Sequence, residues 1–372
     1  MQPTGIDQKS VQQIQELIDG SDLFPGNSSS KLPLDFNFKD DTILITGAAG
    51  SIGSEVTSQL LGTRFKKLVL IDNAESPLYN LVKQLELDAR ENVEFVLIDI
   101  RDQEAMRWLF NTYAFTVIFH TAAYKHVPLM EENAYEAVRL NIFATKIIAD
   151  LSMEYNVKKF VFISTDKAVK PINVMGMTKR IAESYLNYLN SYGKTNFKSA
   201  RFGNVFGSSG SVVPIFLKQI HLGRPVSLTS YDTTRYFISK VKAGYLILKM
   251  AALDENDGCL FTFNMGNPIK IIDLAKILIK HVTGDNPHKI EIIGLRPGEK
   301  IHEDLFSENE HLELTKHTDI LKVRPHHDYS EEKVSFNLLS TVNSEMKNTE
   351  VKAILEDCIY QLQNSPSLLF AI

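Results

Sequence analysis

Short apolar runs alternate with amphipathic stretches through the middle of the chain. Five of these runs are rich in Val, Ile, Leu and Phe and are followed by polar or glycine-rich residues, as is typical of buried β-strands. The predicted strands are Thr42–Thr46, Lys67–Ile71, Val93–Ile98, Val117–His120 and Lys159–Ile163. Between them, apolar residues at helical spacing predict helices. The predicted helices are a segment ending at Leu61, Pro77–Arg90, Gln103–Tyr113 and Ala134–Tyr155.

Strands that alternate with helices indicate right-handed crossover units and a parallel sheet covered on both faces. We therefore expect an α/β fold, a Rossmann-type doubly wound parallel sheet, over residues 40–202. After Ala200 the pattern loosens into loops rich in glycine, serine and proline. Residues 203–372 are predicted to form mainly a smaller C-terminal substrate-binding lobe, with some segments returning to the sheet and a terminal helix at Thr349–Gln363.

Residues 1–39 form a predicted N-terminal extension. Apolar residues in Val11–Ile18 share one face of a short helix, and a loop follows from Gly20 to Pro33 that includes the polar cluster Gly26–Ser30. The extension could be a flexible tail, or a strap that packs on the body or on another subunit. The sequence favours neither alternative.

Composition narrows the functional classes. The apolar fraction of 44% and charged fraction of 23% are ordinary for a globular protein. The formal net charge of −5 argues against nucleic-acid binding. The cysteines Cys259 and Cys358 are far apart, and no metal site is expected. Without a signal peptide or an apolar run of membrane-spanning length, the chain is expected to be cytoplasmic, with no membrane insertion.

A glycine-rich loop lies directly between the first predicted strand and a helix. Gly47, Gly50 and Gly53 allow a tight turn and close approach to a pyrophosphate, which the helix N-terminus stabilises. Asp72 ends the next strand, where a carboxylate binds ribose hydroxyls and repels a 2′-phosphate, so NAD is favoured over NADP. Asp99 is expected near the adenine. The predicted cofactor-binding residues are Gly47, Gly50, Ser51, Ile52, Gly53, Asp72, Asp99, Ile100, Ala122, Ala123 and Lys179.

Candidate catalytic residues follow the fifth predicted strand. Thr165, Asp166 and Lys167 lie at its end, and Met175 and Lys179 share one face of the next helix. A lysine at this place can hold the nicotinamide ribose and lower the pKa of a neighbouring acid. Enzymes of this layout usually have tyrosine four residues before that lysine, whereas Met175 cannot carry a proton.

The chain resembles the UDP-N-acetylglucosamine 4,6-dehydratases, which are extended short-chain dehydrogenases of bacterial surface-glycan biosynthesis. With methionine where the family usually has tyrosine, the chain is similar to one branch of that family, the large membrane-attached dehydratases. Those relatives carry an N-terminal membrane region, where this chain has the short extension. The matching stretches are TGAAGSIGSE (46–55), TAAYKHVPLMEENAYEAVRLNIFAT (121–145), ISTDKAVKPINVMGMTKRIAE (163–183), RFGNVFGSSGSVVPIF (201–216), TRYFIS (234–239) and GLRPGEKIHEDL (294–305).

The resemblance implies a reaction and roles for the candidate residues. Hydride would leave C4 of the sugar for NAD, water would be eliminated across C5 and C6, and hydride would return to C6. Asp166 would protonate the departing C6 hydroxyl and Lys167 would remove the C5 proton. Thr165 would orient the C4 hydroxyl, with Asp166 or a water held by Lys179 accepting its proton. The methionine branch is associated with retention at C5, and a homo-oligomer is expected.

The sugar nucleotide, a UDP-N-acetylhexosamine, is expected to bind where the lobe meets the strand ends. Guanidinium groups match phosphate oxygens, so Arg235 and Arg296 are the candidates for the diphosphate. Glu299 could accept a hydrogen bond from a ribose hydroxyl. The predicted substrate-binding residues are Lys125, His126, Asn204, Ser211, Val212, Pro214, Arg235, Arg296 and Glu299.

Two other functions remain compatible with the sequence. A nucleotide-sugar epimerase on the same scaffold would return hydride to C4 and would not need the pair Asp166–Lys167. If the chain were a non-catalytic, NAD-binding regulatory protein, it would not need a tyrosine at position 175. That function would not account for Thr165, Asp166, Lys167 and Lys179. One scaffold supports many chemistries, so the fold alone does not decide.

Overall fold

The computed structural model describes residues 6–24, 32–33, 36–253, 260–325 and 336–364. Cys259 and the polar cluster 26–30 lie outside the described residues. Cys358 is buried and unpaired. No helix in the described ranges is both long and apolar enough to cross a bilayer.

One mixed sheet forms the centre of the molecule. Within the described residues it has nine strands, in the order β14-β15-β11-β6-β5-β4-β1-β2-β3. The strands of the protein are β1 (Phe38–Thr46), β2 (Phe65–Asp72), β3 (Val93–Leu97), β4 (Val117–His120), β5 (Lys159–Ile163), β6 (Asn196–Arg201), β7 (Asn204–Val205), β8 (Val226–Leu228), β9 (Thr234–Arg235), β10 (Phe237–Ile238), β11 (Leu260–Phe263), β12 (Ile269–Lys270), β13 (Ile290–Ile292), β14 (Glu310–Leu314) and β15 (Ile320–Pro325).

The seven strands from β3 to β11 pair in parallel, and β15 and β14 complete the sheet in antiparallel pairing. The order β3-β2-β1-β4-β5-β6 is that of a doubly wound dinucleotide-binding sheet. The predicted Rossmann-type α/β fold class is confirmed.

Helices cover both faces of the sheet because successive residues of a strand point to opposite sides. Leu44 of β1 packs in one core, and Ile43 and Ile45 pack in the other. The helices are α1 (Gln8–Asp19), α2 (Ser51–Leu60), α3 (Glu75–Gln84), α4 (Gln103–Thr112), α5 (Val127–Glu131), α6 (Ala134–Ala137), α7 (Thr145–Glu154), α8 (Val174–Asn190), α9 (Val212–His221), α10 (Lys240–Ala252), α11 (Ile271–Thr283), α12 (Phe336–Leu339) and α13 (Asn348–Asn364). The Leu44 side holds α4, α7, α8 and α13, and the other side holds α2, α3 and α10.

A third core forms the lobe beside the sheet, and α1 belongs to it. Ile14, Leu17 and Ile18 of α1 are buried with residues of α9, α11, β8, β10 and β12. Gln13 also donates hydrogen bonds to the carbonyls of Met265 and Asn267, at 3.2 and 3.1 Å. The N-terminal helix therefore has the packing of a strap on the body, the second of the two alternatives for the extension.

Two of the elements that differ in length from the prediction have an evident physical cause. β1 begins at Phe38 rather than Thr42, because Phe38 pairs with Phe65 across a register irregularity that the polar run 39–41 concealed. The predicted helix Pro77–Arg90 ends at Gln84, since Glu86 adopts the left-handed conformation with φ of 52° and breaks the helical path.

The packing of α1 gives a stability prediction. Ile14→Ala is expected to lower the free energy of unfolding by about 2–4 kcal/mol, because it removes buried methyl groups and leaves a cavity in the lobe. Urea titration of the purified protein measures this. The control Gln12→Ala, on the exposed face of the same helix, should change the free energy of unfolding little. Equal urea midpoints for the two variants would contradict the packing of α1 on the lobe.

Candidate active site

A cleft of about 700 Å³ lies at the carboxyl ends of β1, β4 and β5, between the sheet and the lobe. This volume lies in the usual range for a small-molecule site. The structure brings most of the predicted site residues together there. Those that line the cleft are Gly47, Gly50, Ser51, Ile52, Asp72, Ile100, Ala122, Ala123, Lys125, His126, Thr165, Lys167, Met175, Lys179, Asn204, Ser211, Val212 and Arg296.

The glycine loop requires two of its glycines for steric reasons. Gly47 has φ of 64°, and a Cβ there would lie 2.6 Å from the Cα of Ala122. A Cβ on Gly53, which does not line the cleft, would lie 2.2 Å from the carbonyl oxygen of Gly47. Gly50 is the N-cap of α2 and caps it with no side chain. The first N–H groups of α2 are therefore available to an anionic ligand.

Asp72 has a structural role that the sequence did not reveal. One carboxylate oxygen accepts a hydrogen bond from the N–H of Ala49 and the other from the N–H of Ala74, both at 3.0 Å. The carboxylate thus ties the glycine loop to the end of β2 and still lines the cleft. These two bonds leave lone pairs that can accept from ribose hydroxyls.

Asp99 does not line the cleft, although its neighbours Ile98 and Ile100 do. The guanidinium of Arg101 binds both of its carboxylate oxygens, and this hydrogen bonding lowers the pKa of Asp99. In the described structure Asp99 therefore orders the loop after β3.

Lys179 is a buried amine beside the strand end. Its Nζ donates to the carbonyl of Ile163 at 2.9 Å and lies 4.3 Å from the ring centroid of Phe162. Burial lowers the pKa of Lys179 to about 7, although the charge of Glu183 acts in the opposite direction. Met175 lies one turn earlier on α8, and both side chains line the cleft.

Thr165, Asp166 and Lys167 form one hydrogen-bonded group in the turn after β5. The Thr165 hydroxyl and the Lys167 amine both donate to Asp166 Oδ1, each at 2.9 Å. Asp166 is fully buried, whereas Thr165 and Lys167 line the cleft. A ligand in the cleft can therefore reach the Asp166 carboxylate through its two neighbours.

A buried asparagine holds the loop after β4, and sequence reasoning missed it. Asn141 accepts from the N–H of Tyr124 at 2.9 Å and donates to the carbonyl of the same residue at 3.0 Å. Asn141 lies in a π-helical stretch, Val138–Ala144, which interrupts the predicted helix Ala134–Tyr155. Such stretches are frequent at functional sites, but a single sequence gives no signal for them.

The loop after β4 meets the lobe across the cleft. Lys125 Nζ lies 3.4 Å from the Ser208 hydroxyl, and the ring of His126 packs so closely on Gly210 that a Cβ there would be 2.6 Å from His126 Cε1. Burial lowers the pKa of both Lys125 and His126. The pairing of a lysine with a largely neutral histidine leaves this wall suited to an anionic or polar ligand.

The two predicted diphosphate arginines have different surroundings. Arg296 is exposed and lines the cleft. Arg235 is buried and does not line it; its guanidinium donates to the carbonyls of Thr234, Lys300 and Ile301. Arg235 also lies 3.4 Å from Glu299, which accepts a hydrogen bond from Thr229 at 3.0 Å. Arg235 and Glu299 thus anchor the segment around residue 300. Pro214, another predicted substrate-binding residue, does not line the cleft either.

The strand order and the glycine loop define a Rossmann-type dinucleotide-binding fold. Residues 43–325 match the model of a family described as "Polysaccharide biosynthesis protein". Because the match extends over most of the chain, the protein belongs to this family.

Three curated relatives of the chain carry names that state different functions. The chain is 45% identical over 274 residues to the capsular polysaccharide biosynthesis protein CapD of Staphylococcus aureus, covering 72% of this chain and 45% of that protein. It is 33% identical to an inverting UDP-N-acetylglucosamine 4,6-dehydratase of Campylobacter jejuni (73% and 79% covered). It is also 33% identical to a UDP-glucose 4-epimerase of Rickettsia rickettsii (73% and 80% covered). The chain thus spans about half the length of CapD.

The buried state of Lys179 gives a pH-dependent prediction. The unfolded amine keeps its proton up to a pH of about 10.4, whereas the folded one loses it above about 7. Wild-type stability should therefore rise across this interval relative to Lys179→Met. The stability difference (variant minus wild type) should fall with rising pH, by up to about 1.4 kcal/mol per pH unit.

Denaturant titrations of nucleotide-free protein between pH 7 and about 10 test this. Lys194→Met, at an exposed lysine, is the matched control and should give a difference that is flat with pH. A flat difference for Lys179→Met as well would show that the Lys179 amine keeps its proton in the folded protein.

Proposed function

We propose that this chain is an NAD-dependent 4,6-dehydratase of UDP-N-acetylglucosamine, giving a UDP-4-keto-6-deoxy-N-acetylhexosamine for surface-glycan biosynthesis. The observation that carries the proposal is the group formed by Thr165, Asp166 and Lys167. It presents a hydroxyl and an amine to the cleft, both bonded to one buried carboxylate. Elimination of water needs an acid and a base side by side, and this group supplies them.

The cleft fits NAD. The uncapped N-terminus of α2 suits a pyrophosphate, and Asp72 suits an unphosphorylated ribose. Lys179 and Met175 line the part of the cleft beside β5, where the reactive ring would lie. When bound, NAD supplies the hydride acceptor for C4 and the hydride donor for C6.

The first proton leaves the C4 hydroxyl, and Met175 cannot accept it. Thr165 can accept a hydrogen bond from that hydroxyl while donating its own proton to Asp166 Oδ1, 2.9 Å away. The proton thereby reaches the Asp166 carboxylate through Thr165. This relay gives the acid/base role of the missing tyrosine to two residues of the turn after β5.

Elimination uses the same turn. Neutral Lys167 removes the proton at C5, the electrons of that C–H bond form the C5–C6 double bond, and the C6–O bond breaks. Asp166 gives the proton taken from C4 to the leaving hydroxyl, which departs as water. Lys167 returns a proton to C5 when C6 is reduced. Asp166 ends as a carboxylate and Lys167 as a neutral amine, so the cycle closes.

Substrate contacts follow from the lining of the cleft. We assign the diphosphate to Arg296, Lys125 and the N-terminus of α9, where Ser211 is the N-cap but makes no side-chain capping bond. We assign the sugar contacts to His126 and Asn204, which also line the cleft. Retention at C5, a cytoplasmic location and a homo-oligomeric state remain part of the proposal, and retention rests on methionine at position 175.

A 4-epimerase is the second candidate, because the chain is equally identical to relatives with either name. An epimerase conserves the C6 hydroxyl and needs a base for the C4 hydroxyl alone. Lys167 and Asp166 are in direct contact. Such an acid and base side by side serve an elimination, and an epimerase would not use them.

The proposed reaction predicts a specific NMR time course with UDP-N-acetylglucosamine in heavy water and no added cofactor. A C6 methyl signal should appear, with deuterium at C5, because the Lys167 amine carries solvent deuterons beside the proton it removes. The H1–H2 and H2–H3 couplings of the product, which follow the ring conformation that the C5 configuration favours, then distinguish retention from inversion. Epimerisation would instead leave the C6 hydroxymethyl signal and change only C4. No change after NAD is supplied would reject this sugar as substrate.

Substitutions in the turn separate the two halves of the reaction. Lys167→Met should lower turnover by roughly 10²–10⁴-fold but still accumulate reduced cofactor, because C4 oxidation does not need Lys167. Asp166→Asn should lower turnover similarly without such accumulation, because its amide cannot accept the C4 proton. Near-ultraviolet absorbance of the mixed enzyme and substrate reads this directly.

The matched control is Lys170→Met, which removes an exposed lysine of the same segment paired with Glu308. Its turnover should equal that of wild type. If Lys167→Met formed no reduced cofactor, Lys167 would be needed before elimination and the assigned order of steps would be wrong.

A further inference from the structure

A buried glutamate lies beside Lys167 and has no role in the reaction as proposed. Glu303 Oε1 is 3.8 Å from Lys167 Nζ, and the Glu303 side chain is only 2% exposed. Asp166, the closer partner of Lys167, is 0% exposed. One amine therefore has two buried carboxyl groups as neighbours, whereas the elimination described above uses only one of them.

The contacts of Glu303 are poor for a carboxylate. Its Oε2 lies 3.7 Å from Lys300 Nζ, and that amine donates instead to the carbonyl of Val169 at 2.8 Å. Within the described parts of the chain, Oε2 accepts no hydrogen bond. Ionised carboxylates are costly to bury unless hydrogen bonds satisfy them. The geometry thus favours the neutral acid at Glu303.

The charges around Glu303 shift its pKa in both directions. The charged groups facing Glu303 are Asp166, Lys167, Arg235 and Lys300. Burial raises the pKa of Glu303, and the negative charge of Asp166 raises it further, whereas the three cations lower it. Burial is the largest effect.

Lys167 needs a place for its proton before it can act as a base. Asp166 cannot take that proton, because its carboxylate must remain free for the proton from the C4 hydroxyl. Glu303 is the other carboxyl group near the amine, and its Oε1 is 3.8 Å from Lys167 Nζ. A small rotation of the flexible lysine side chain would form the hydrogen bond along which a proton moves. Building on the proposed dehydratase function, we propose that Glu303 takes the proton of Lys167 and stores it while Lys167 works as the base at C5.

The transfer is balanced without any further reactant. One N–H bond of the Lys167 ammonium breaks, and one O–H bond forms on the Glu303 carboxylate. The pair changes from two opposite charges to two neutral groups and keeps the same net charge. Glu303 is thus a positioning residue, which acts through Lys167 and need not contact the sugar.

Infrared difference spectroscopy of the NAD-bound protein at pH 7 tests the stored proton without substrate. The spectrum of wild type minus Glu303→Gln should contain the carbonyl band of a protonated carboxyl group. The control is wild type minus Glu308→Gln, at an exposed glutamate, which should contain carboxylate bands alone. If the Glu303 difference also showed only carboxylate bands, Glu303 would be ionised and the proposal overturned.

Turnover tests the consequence for catalysis. Glu303→Gln cannot accept the proton, so Lys167 must lose it to solvent. Turnover at pH 7 should fall by roughly 10- to 100-fold, with KM unchanged, and should recover with rising pH where wild type shows no such rise. Glu303→Asp keeps a protonatable group and should restore part of the activity without this pH dependence.

The contrary results are equally clear. Unchanged or increased turnover of Glu303→Gln at pH 7, or a loss that is the same at every pH, would overturn the proton store. The infrared result decides the Glu303 proposal even if the wild-type protein does not dehydrate UDP-N-acetylglucosamine. In that case the function proposed for the site would fail separately.

Discussion

The parallel alignment of β1, β4 and β5 is the constraint on which the site depends. Thr46 pairs with His120, and His120 pairs with Phe162, so the three strands end almost level with one another. The loops that follow them therefore start from one line at the sheet edge. The phosphate loop, the Lys125–His126 wall and the Thr165–Lys167 turn meet there because of this register, although they are far apart in sequence.

A buried network of charged side chains lies at the end of β6, next to that edge. Arg201 of β6 is buried and binds both Glu183 of α8 and Glu310 of β14. Glu183 also accepts a hydrogen bond from Ser164, which lines the cleft. A buried ion pair is costly to desolvate and contributes to stability only when its hydrogen bonds are complete. This network links the outermost strand to the helix that carries Lys179.

The sequence predicted those parts of the structure that depend on residues close together in the chain. The strand–glycine–helix unit at residues 42–61 and the turn after β5 have sequence signals of their own, so their positions at the cleft could be expected. Contacts between distant segments could not. Arg235 has the residue type for a phosphate site, but its guanidinium binds carbonyls near residue 300. Glu303 has no motif spacing that indicates its proximity to Lys167, since only the folded chain brings them together.

The position of α1 has a consequence for the order in which the chain can fold. Ile14 packs with residues such as Leu274 and Leu278 of α11, which are synthesised far later than α1. The contacts of the sheet from β1 to β5 are complete much sooner. Closing so long a loop is slow and entropically costly. Among the described helices, α1 is therefore expected to be one of the last to reach its native place, with its apolar face exposed until α11 has been made.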